Sequence, residues 1–311
     1  MAQEILQVSP LPPSMMNALQ EADYIVHDHT HIKDPGALSK VTAMVGTGSA
    51  KVDKKLLMMV PNLKLIAICG VGYDGVDVDA AKDKGIVVTH TPGVLTDDVA
   101  DLAMGLVLSI GRRIPQADKF VRNGDWVDDA FALTHKVSGA RLGIVGMGRI
   151  GRAIAKRAAA FDMNIAYTGR QAKADAPYRF YNTVQELAAW TDYLVVAIPG
   201  GDDTQNLIDA SVLQALGAKG YLINIARGSV VDQPVLVQAL KDKTIAGAAL
   251  DVYWDEPIVD PELRRLPNVV LTPHIASATV ETRQAMAALT LDNLQAFYEG
   301  RPLPTPVPEC Q

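Results

Sequence analysis

The stretch Leu142 to Arg170 decides the fold. It begins Leu142-Gly143-Ile144-Val145-Gly146-Met147-Gly148-Arg149-Ile150-Gly151, continues Arg152-Ala153-Ile154-Ala155-Lys156-Arg157-Ala158-Ala159-Ala160-Phe161, and ends Asn164-Ile165-Ala166-Tyr167-Thr168-Gly169-Arg170. A short apolar run rich in β-branched residues reads as a buried parallel strand. The Gly-x-Gly-x-x-Gly of Gly146, Gly148 and Gly151 comes directly after it. An Ala-rich helical run is next, and Ile165 to Tyr167 closes a βαβ unit. In that context Gly146 allows the tight turn, Gly148 lets the backbone approach a pyrophosphate, and Gly151 lets helix and strand pack closely. The pyrophosphate would rest on the helix N-terminus, where free N–H groups and the dipole favour an anion.

The chain carries a competitor. Gly70-Val71-Gly72-Tyr73-Asp74-Gly75 matches the same pattern after another apolar run, Leu65 to Cys69. Only context separates the two. The site at Gly146 has the longer helix and a full strand after it, so the dinucleotide is assigned there. The end of that second strand then speaks to the cofactor. An NAD site expects an Asp or Glu about 20 residues past the glycines, on the ribose 2′-hydroxyl. Here the residues are Gly169 and Arg170. No carboxylate repels a 2′-phosphate, and a guanidinium is present to pair with one. The expectation is NADP(H) in preference to NAD(H).

Composition bounds the rest. The 311 residues suggest about two domains. Hydrophobic residues make up 49% and charged residues 21%, ordinary for a globular protein with substantial cores. The formal net charge of -6 gives no support for a nucleic-acid partner. Cys69 and Cys310 have neither metal-ligand nor redox spacing, and a reducing compartment is the simplest reading. Met1-Ala2-Gln3-Glu4-Ile5 lacks a basic n-region and an apolar h-region. The longest apolar stretch, around Leu102 to Ile110, is too short to span a bilayer. A soluble cytoplasmic protein with no membrane partner is expected.

In chain order, strands are read at Ile5 to Val8, Tyr24 to Val26, Val41 to Gly46, Leu65 to Cys69 and Ile86 to Thr89. Helices are read near Leu11 to Glu21, Lys51 to Met59 and Val78 to Lys84. This alternation makes the first ninety-odd residues an α/β unit of its own. His27, His29 and His31 alternate at the end of the second strand, where period-2 spacing shares one face. No carboxylate or Cys set completes a metal site, so a solvated loop is preferred and no metal is assigned. Asp97 to Arg113 reads as one long helix with Val99, Leu102, Ala103, Leu106, Val107 and Ile110 at helical spacing. Ile114 to Lys136 is less regular: either a core helix with a surface loop, or an oligomer arm. Further strands at Tyr193 to Ile198, Tyr221 to Ala226, Ile245 to Leu250 and Val269 to Leu271 complete a doubly wound sheet. A last helix, Val280 to Glu299, is expected to fold back on the first unit.

In such a sheet, ligands bind outside the C-terminal ends of the strands. The segments directly after three of the strands supply Arg227 in Asn224-Ile225-Ala226-Arg227-Gly228, Asp251 and then Glu256 in Asp251-Val252-Tyr253-Trp254-Asp255-Glu256-Pro257, and His274 in Leu271-Thr272-Pro273-His274. A guanidinium, a carboxylate and an imidazole on neighbouring strand ends suit hydride transfer between nicotinamide and a 2-oxo or 2-hydroxy acid. Arg227 holds the substrate by a charge-assisted hydrogen bond. His274 exchanges a proton with the carbonyl oxygen. Glu256 accepts the other imidazole N–H and fixes the tautomer. The cofactor brings the hydride.

These segments resemble the D-isomer-specific 2-hydroxyacid dehydrogenases, over nearly the whole chain. The matching signatures are Gly146-Met147-Gly148-Arg149-Ile150-Gly151, Arg227-Gly228, Asp251 with Glu256-Pro257, and Pro273-His274. The resemblance implies two α/β, Rossmann-like doubly wound domains with a cleft between them. Residues 1–98, completed by 282–311, would form the substrate domain, and 99–281 the NADP domain. It implies Arg227, Glu256 and His274 as the catalytic set. It implies Val71 and Gly72 as N–H donors to the substrate carboxylate, which gives the competing glycine run a task. It implies Gly146, Met147, Gly148, Arg149, Ile150, Gly169, Arg170, Gln171, Ile225 and Asp251 as cofactor contacts, and a homodimer joined through the cofactor domain. Thr168-Gly169-Arg170-Gln171 is similar to the NADPH-preferring glyoxylate/hydroxypyruvate reductases. Thr96-Asp97-Asp98-Val99-Ala100-Asp101 and Val280-Glu281-Thr282-Arg283 resemble the branch with the plant hydroxyphenylpyruvate reductases. Gly200-Gly201 after Pro199 departs from the Leu-Thr that many members carry.

Two readings of substrate stand open. Small polar acids such as glyoxylate and hydroxypyruvate are favoured. Trp254, Tyr73 and Trp126 would instead suit an aromatic keto acid if they line the pocket. A non-catalytic dinucleotide sensor is the alternative from another class, and the intact Arg227, Glu256 and His274 argue against it.

Overall fold

Alternating strands and helices build two parallel sheets, and the computed structural model describes residues 3–30 and 38–311. The chain divides into two compact units, Met1–Leu95 with Ala278–Gln311, and Thr96–Ser277. Both divisions fall ahead of the expected 98/99 and 281/282. Each lies just before a long helix, Thr96–Arg112 or Val280–Glu299, and a helix joins one unit along its whole length.

In the first unit, β1 (Glu4–Gln7), β2 (Ile25–Asp28), β3 (Ala43–Thr47), β4 (Leu65–Cys69) and β5 (Val87–Thr89) pair in parallel in the order β2-β1-β3-β4-β5. The order reverses between β1 and β3, so the topological switch point lies there. Helices α1 (Pro13–Glu21), α2 (Lys54–Met59) and α3 (Val78–Asp83) connect the strands. Asp53 and Asp77 start the last two by accepting from the N–H groups of Leu56 and Ala80. Every residue of β4 is buried, as its unbroken apolar sequence dictates for an inner parallel strand. His27 belongs to β2 rather than to a loop, paired with Glu4 on β1 at 2.9 Å. His29 turns its Nδ1 to the Gln7 carbonyl, and His31 lies outside the described residues.

The second unit opens with α4 (Thr96–Arg112) and α5 (Ile114–Arg122). Its strands are β6 (Arg141–Val145), β7 (Asn164–Thr168), β8 (Arg179–Phe180), β9 (Tyr193–Val196), β10 (Tyr221–Asn224), β11 (Gly247–Leu250) and β12 (Val269–Leu271). All run parallel in the order β12-β11-β10-β9-β6-β7-β8, with the switch point between β6 and β9. Helices α6 (Arg149–Ala159), α7 (Val184–Trp190), α8 (Ala210–Leu216), α9 (Gln233–Lys241) and α10 (Pro261–Arg265) cover the faces. One core of Val145, Leu194, Val196, Leu222, Leu250 and their neighbours joins strands to helices. Burying each such aliphatic side chain contributes roughly 1.5–3 kcal/mol. Strand β8 escaped the sequence reading because a two-residue edge strand has no periodicity to show.

The segment 114–136 resolves into α5, which buries none of its residues, and a 3-10 turn at Asp125–Val127. The chain then returns to the first unit as α11 (Val280–Glu299), capped by Thr279 and packed on α1 and β4. Among the described residues no helix is long and apolar enough to cross a membrane.

Candidate active site

The glycine fingerprint sits at the switch point of the second sheet. Gly146 comes after β6 with φ +102, a left-handed backbone that favours glycine. A Cβ there would lie 2.6 Å from the Ala197 carbonyl oxygen, just past β9. A Cβ on Gly151 would lie 2.0 Å from the Gly146 carbonyl oxygen, so α6 packs on the turn only because both are glycine. Gly148 differs: a Cβ there would meet nothing within 4 Å. It caps α6 without a side-chain hydrogen bond, which leaves the first amides of an eleven-residue helix open to an anion. Arg149 is exposed and Ile150 half-buried, while Met147 and Ile225 are buried. At the end of β7, Gly169 also faces open space. Arg170 and Gln171 are exposed, and Arg170 forms no hydrogen bond or ion pair with the described residues. The residues present fit a dinucleotide carrying a 2′-phosphate.

Three adjacent strands, β10, β11 and β12, deliver the polar groups. Beyond β10, Asn224 donates to the Arg227 carbonyl at 2.9 Å and accepts from the Ala226 N–H at 3.0 Å, fixing the turn that presents Arg227. Gly228 is required behind it, since a Cβ would fall 2.0 Å from the Tyr253 backbone. Beyond β11, Glu256 accepts the Tyr253 N–H at 2.9 Å with one oxygen and meets His274 Nδ1 at 2.5 Å with the other. A carboxylate only accepts, so Nδ1 carries the proton and Nε2 is left for a substrate. Burial pushes the Glu256 carboxyl up. The hydrogen bond and charge of His274, the Tyr253 N–H and the Arg227 charge outweigh it and hold the carboxyl below its ordinary value. Glu256 is therefore ionised at neutral pH.

His274 itself sits at φ +52, a strained backbone for a residue with a Cβ, costing of order 1–3 kcal/mol. Asp251 holds it there. Its side chain is fully buried and accepts the Thr272 hydroxyl at 2.6 Å, the Ile275 N–H at 2.9 Å and the Ala276 N–H at 2.9 Å. Its carbonyl accepts the His274 N–H at 2.9 Å. Tyr253 ties the same strand ends, its hydroxyl donating toward the carbonyls of Leu250 and Thr272. The sequence reading placed Asp251 with the cofactor and missed this work on the His274 turn, because the bonded residues are all backbone or hydroxyl groups of ordinary type.

In the first unit, the Gly70–Gly75 run comes after β4, away from the β1/β3 switch point, and the helix after it has six residues. Both features separate it from a dinucleotide turn. The Gly70 carbonyl accepts the Thr91 N–H at 2.8 Å, and the Val71 carbonyl accepts His90 Nδ1–H at 3.0 Å. With the Gly70 and Val71 carbonyls held by the residues that follow β5, the N–H groups of Val71 and Gly72 bond to none of the described residues. At the switch point itself, Ser9, Thr47 and Ser49 link hydroxyls at 3.0 and 2.9 Å. Reading the residue after each strand of the first sheet would have found His90, Ser9 and Thr47. Among the described residues, no group of three His, Cys, Asp or Glu could hold a metal.

Residues 104–276 match the family described as D-isomer specific 2-hydroxyacid dehydrogenase, NAD binding domain. A glyoxylate/hydroxypyruvate reductase A of Arabidopsis thaliana is 46% identical over 97% of this chain and 98% of its own length. A hydroxyphenylpyruvate reductase of Plectranthus scutellarioides is 50% identical over 86% of this chain and 85% of its own. The structure of an NADPH-dependent glyoxylate/hydroxypyruvate reductase from Sinorhizobium meliloti, in complex with NADP and malonate, superposes with a TM-score of 0.93 at 42% identity, covering 100% of this chain and 98% of that one. With the glycine turn, the strand-end Arg, Glu and His, and relatives of this identity over its full length, the chain belongs to the D-isomer-specific 2-hydroxyacid dehydrogenases and is an oxidoreductase.

Proposed function

We propose that this protein is an NADPH-dependent reductase of small 2-keto acids, glyoxylate and hydroxypyruvate, acting to give the D-2-hydroxy acid. The observation that carries the reading is the Glu256–His274 pair beside Arg227 on adjacent strand ends. The names of the Arabidopsis and Sinorhizobium relatives support the substrate class. Bound NADPH supplies the hydride. Gly146 to Ile150 hold its pyrophosphate, and Arg170, with Gly169 and Gln171, holds the 2′-phosphate. Met147 and Ile225 complete the cofactor contacts, while Asp251, fully buried with both oxygens engaged, serves by holding the His274 turn. Arg227 binds the keto acid and draws charge onto the carbonyl oxygen. With a proton on each ring nitrogen, His274 gives the Nε2 proton to that oxygen and keeps the Nδ1 proton hydrogen-bonded to the ionised Glu256, which orients the ring. Val71 and Gly72 bind the substrate carboxylate with their unpartnered N–H groups.

The test monitors NADPH oxidation with glyoxylate, hydroxypyruvate and hydroxyphenylpyruvate. His274→Ala should lower kcat by roughly 10²–10⁴ with NADPH binding retained. Unchanged turnover would sink the assignment. Preference for hydroxyphenylpyruvate would instead favour the aromatic reading, which the 50% identity of the Plectranthus relative supports. Absent turnover with tight NADPH binding would favour a sensor.

The assembly belongs to the same reading: a homodimer joined through the second unit. Between α5 and Val137 that unit exposes Trp126 at 69%, Val127 at 88% and Leu133 at 100%, an apolar run that a partner subunit would cover. Both cysteines are free, which supports a cytoplasmic location.

A further inference from the structure

We propose that the C-terminal segment is a positioning element for the substrate-carboxylate loop, with Glu309 acting on Val71–Gly72 through Tyr73. This rests on the reading of those two residues as carboxylate donors.

The segment is first anchored, then applied. After Gly300 ends α11, Thr305 is fixed from two sides. Its N–H donates to Asn293 Oδ1 at 3.2 Å, and its hydroxyl accepts from Asn293 Nδ2 at 2.8 Å while donating to the His90 carbonyl at 2.6 Å. The His90 N–H returns a bond to the Thr305 carbonyl at 3.1 Å, and the Val307 N–H donates to the Val88 carbonyl at 2.9 Å. Pro306 thereby bridges Thr89 as an antiparallel extension of the sheet, with Val307 fully buried beneath it. Two residues on, the Glu309 carboxylate accepts the Tyr73 hydroxyl at 2.9 and 3.2 Å.

Tyr73 adjoins Gly72, so this bond holds the far end of the loop. The near end is held by Thr91 on the Gly70 carbonyl. The middle is held by His90 on the Val71 carbonyl, and the His90 ring meets Tyr73 edge-on, at 5.3 Å and 89°. All three restraints approach from β5 and the segment bound to it. They grip carbonyls and a side chain, and they leave the Val71 and Gly72 amides free to donate. Burial first, then the Glu309 hydrogen bond, pushes the Tyr73 hydroxyl up to about 12, so it stays a donor at any working pH.

Glu309 is exposed, whereas the anchor at Thr305 and Val307 is separate from it. Glu309→Ala therefore releases the loop without detaching the segment. For the full-length enzyme, Glu309→Ala and Tyr73→Phe should each raise the KM for glyoxylate about threefold to tenfold, the scale of one lost hydrogen bond. The kcat should stay within about twofold and the NADPH Kd should not move. The double variant should be no worse than either single one. Glu309→Gln, which keeps an accepting oxygen, should restore the wild-type KM. An unchanged KM in Glu309→Ala overturns the proposal. So does a parallel fall of kcat, cofactor binding and melting temperature, which would mark a merely structural contact. Val71→Pro, melting normally, separates the two layers. A raised KM there with none in Glu309→Ala removes only the role of the segment, whereas an unchanged KM there overturns the carboxylate reading itself.

Discussion

Adding one methyl group to Gly148 and to Gly151 should damage the protein in opposite ways. Gly148 has φ -81 and ψ -161, a backbone any residue adopts, and a Cβ there meets nothing within 4 Å. Gly148→Ala should leave the free protein at its wild-type stability or raise it by about 0.4–1 kcal/mol, since alanine narrows the unfolded ensemble. The same methyl would fill the space through which a pyrophosphate approaches the backbone. Overpacking of that kind costs about 1–3 kcal/mol, or roughly 5- to 150-fold in NADPH affinity. On Gly151 the Cβ would fall 2.0 Å from the Gly146 carbonyl oxygen and 3.1 Å from its carbon. Both are backbone atoms of the turn, so α6 must shift from β6 and the loss falls on folding. At about 2–4 °C per kcal/mol for a unit of this size, Gly151→Ala should melt several degrees lower. Thermal melts of the free protein, with NADPH titrations monitored by fluorescence, measure both quantities. Wild-type NADPH affinity in Gly148→Ala would refute the pyrophosphate site. A wild-type melt in Gly151→Ala would refute the close contact.

Arg170→Asp should lower kcat/KM with NADPH by about 10- to 150-fold, since a charge-assisted phosphate contact becomes a repulsion. It should gain with NADH, whose ribose hydroxyl can donate to the new carboxylate; equal use of both cofactors by the wild type would remove the basis for the assignment. Glu256 titrates below its ordinary value, so its contribution to stability is present above that value and is lost as pH falls through the folded one. Glu256→Gln should therefore melt below the wild type at neutral pH, and the gap should shrink as pH falls through the lowered value. A gap constant from neutral to acid pH would contradict that sign. Val127→Glu together with Leu133→Glu should shift light-scattering mass from dimer to monomer, and an undisturbed dimer would exclude the exposed run as the interface.

The sequence exposed whatever is local. Leu65 to Cys69 was legible as a strand to the residue because an inner parallel strand is an uninterrupted apolar run bounded by turns, and Val269 to Leu271, although at the sheet edge, is a short apolar run of the same kind. Arg227, Glu256 and His274 were legible because each comes directly after such a run or within a few residues of it. The full strand order was not legible. The adjacency of β10, β11 and β12 was expected from their consecutive places in the chain and the pairing agrees, whereas the switch point at β6 and β9 is a property of pairing alone. The Tyr73–Glu309 bond spans a separation of 236 residues and leaves no periodic mark in either segment.

Strand order also separates the two glycine fingerprints of this chain. Both offer backbone amides at the end of a buried strand. At Gly146 the strand order reverses, and it is at such switch points that open parallel sheets bind dinucleotides. At Gly70 the neighbouring strands continue in one direction, and the loop after β4 stays beside His90 at the end of β5, bonded to it through Val71. Such a loop has two amides to offer, as proposed for a small carboxylate, and it lies away from the switch point at which a dinucleotide would bind. Transplanting α6, which begins at Arg149, would not convert it. The deciding variable is which strand the glycines succeed, and the motif itself carries no record of that.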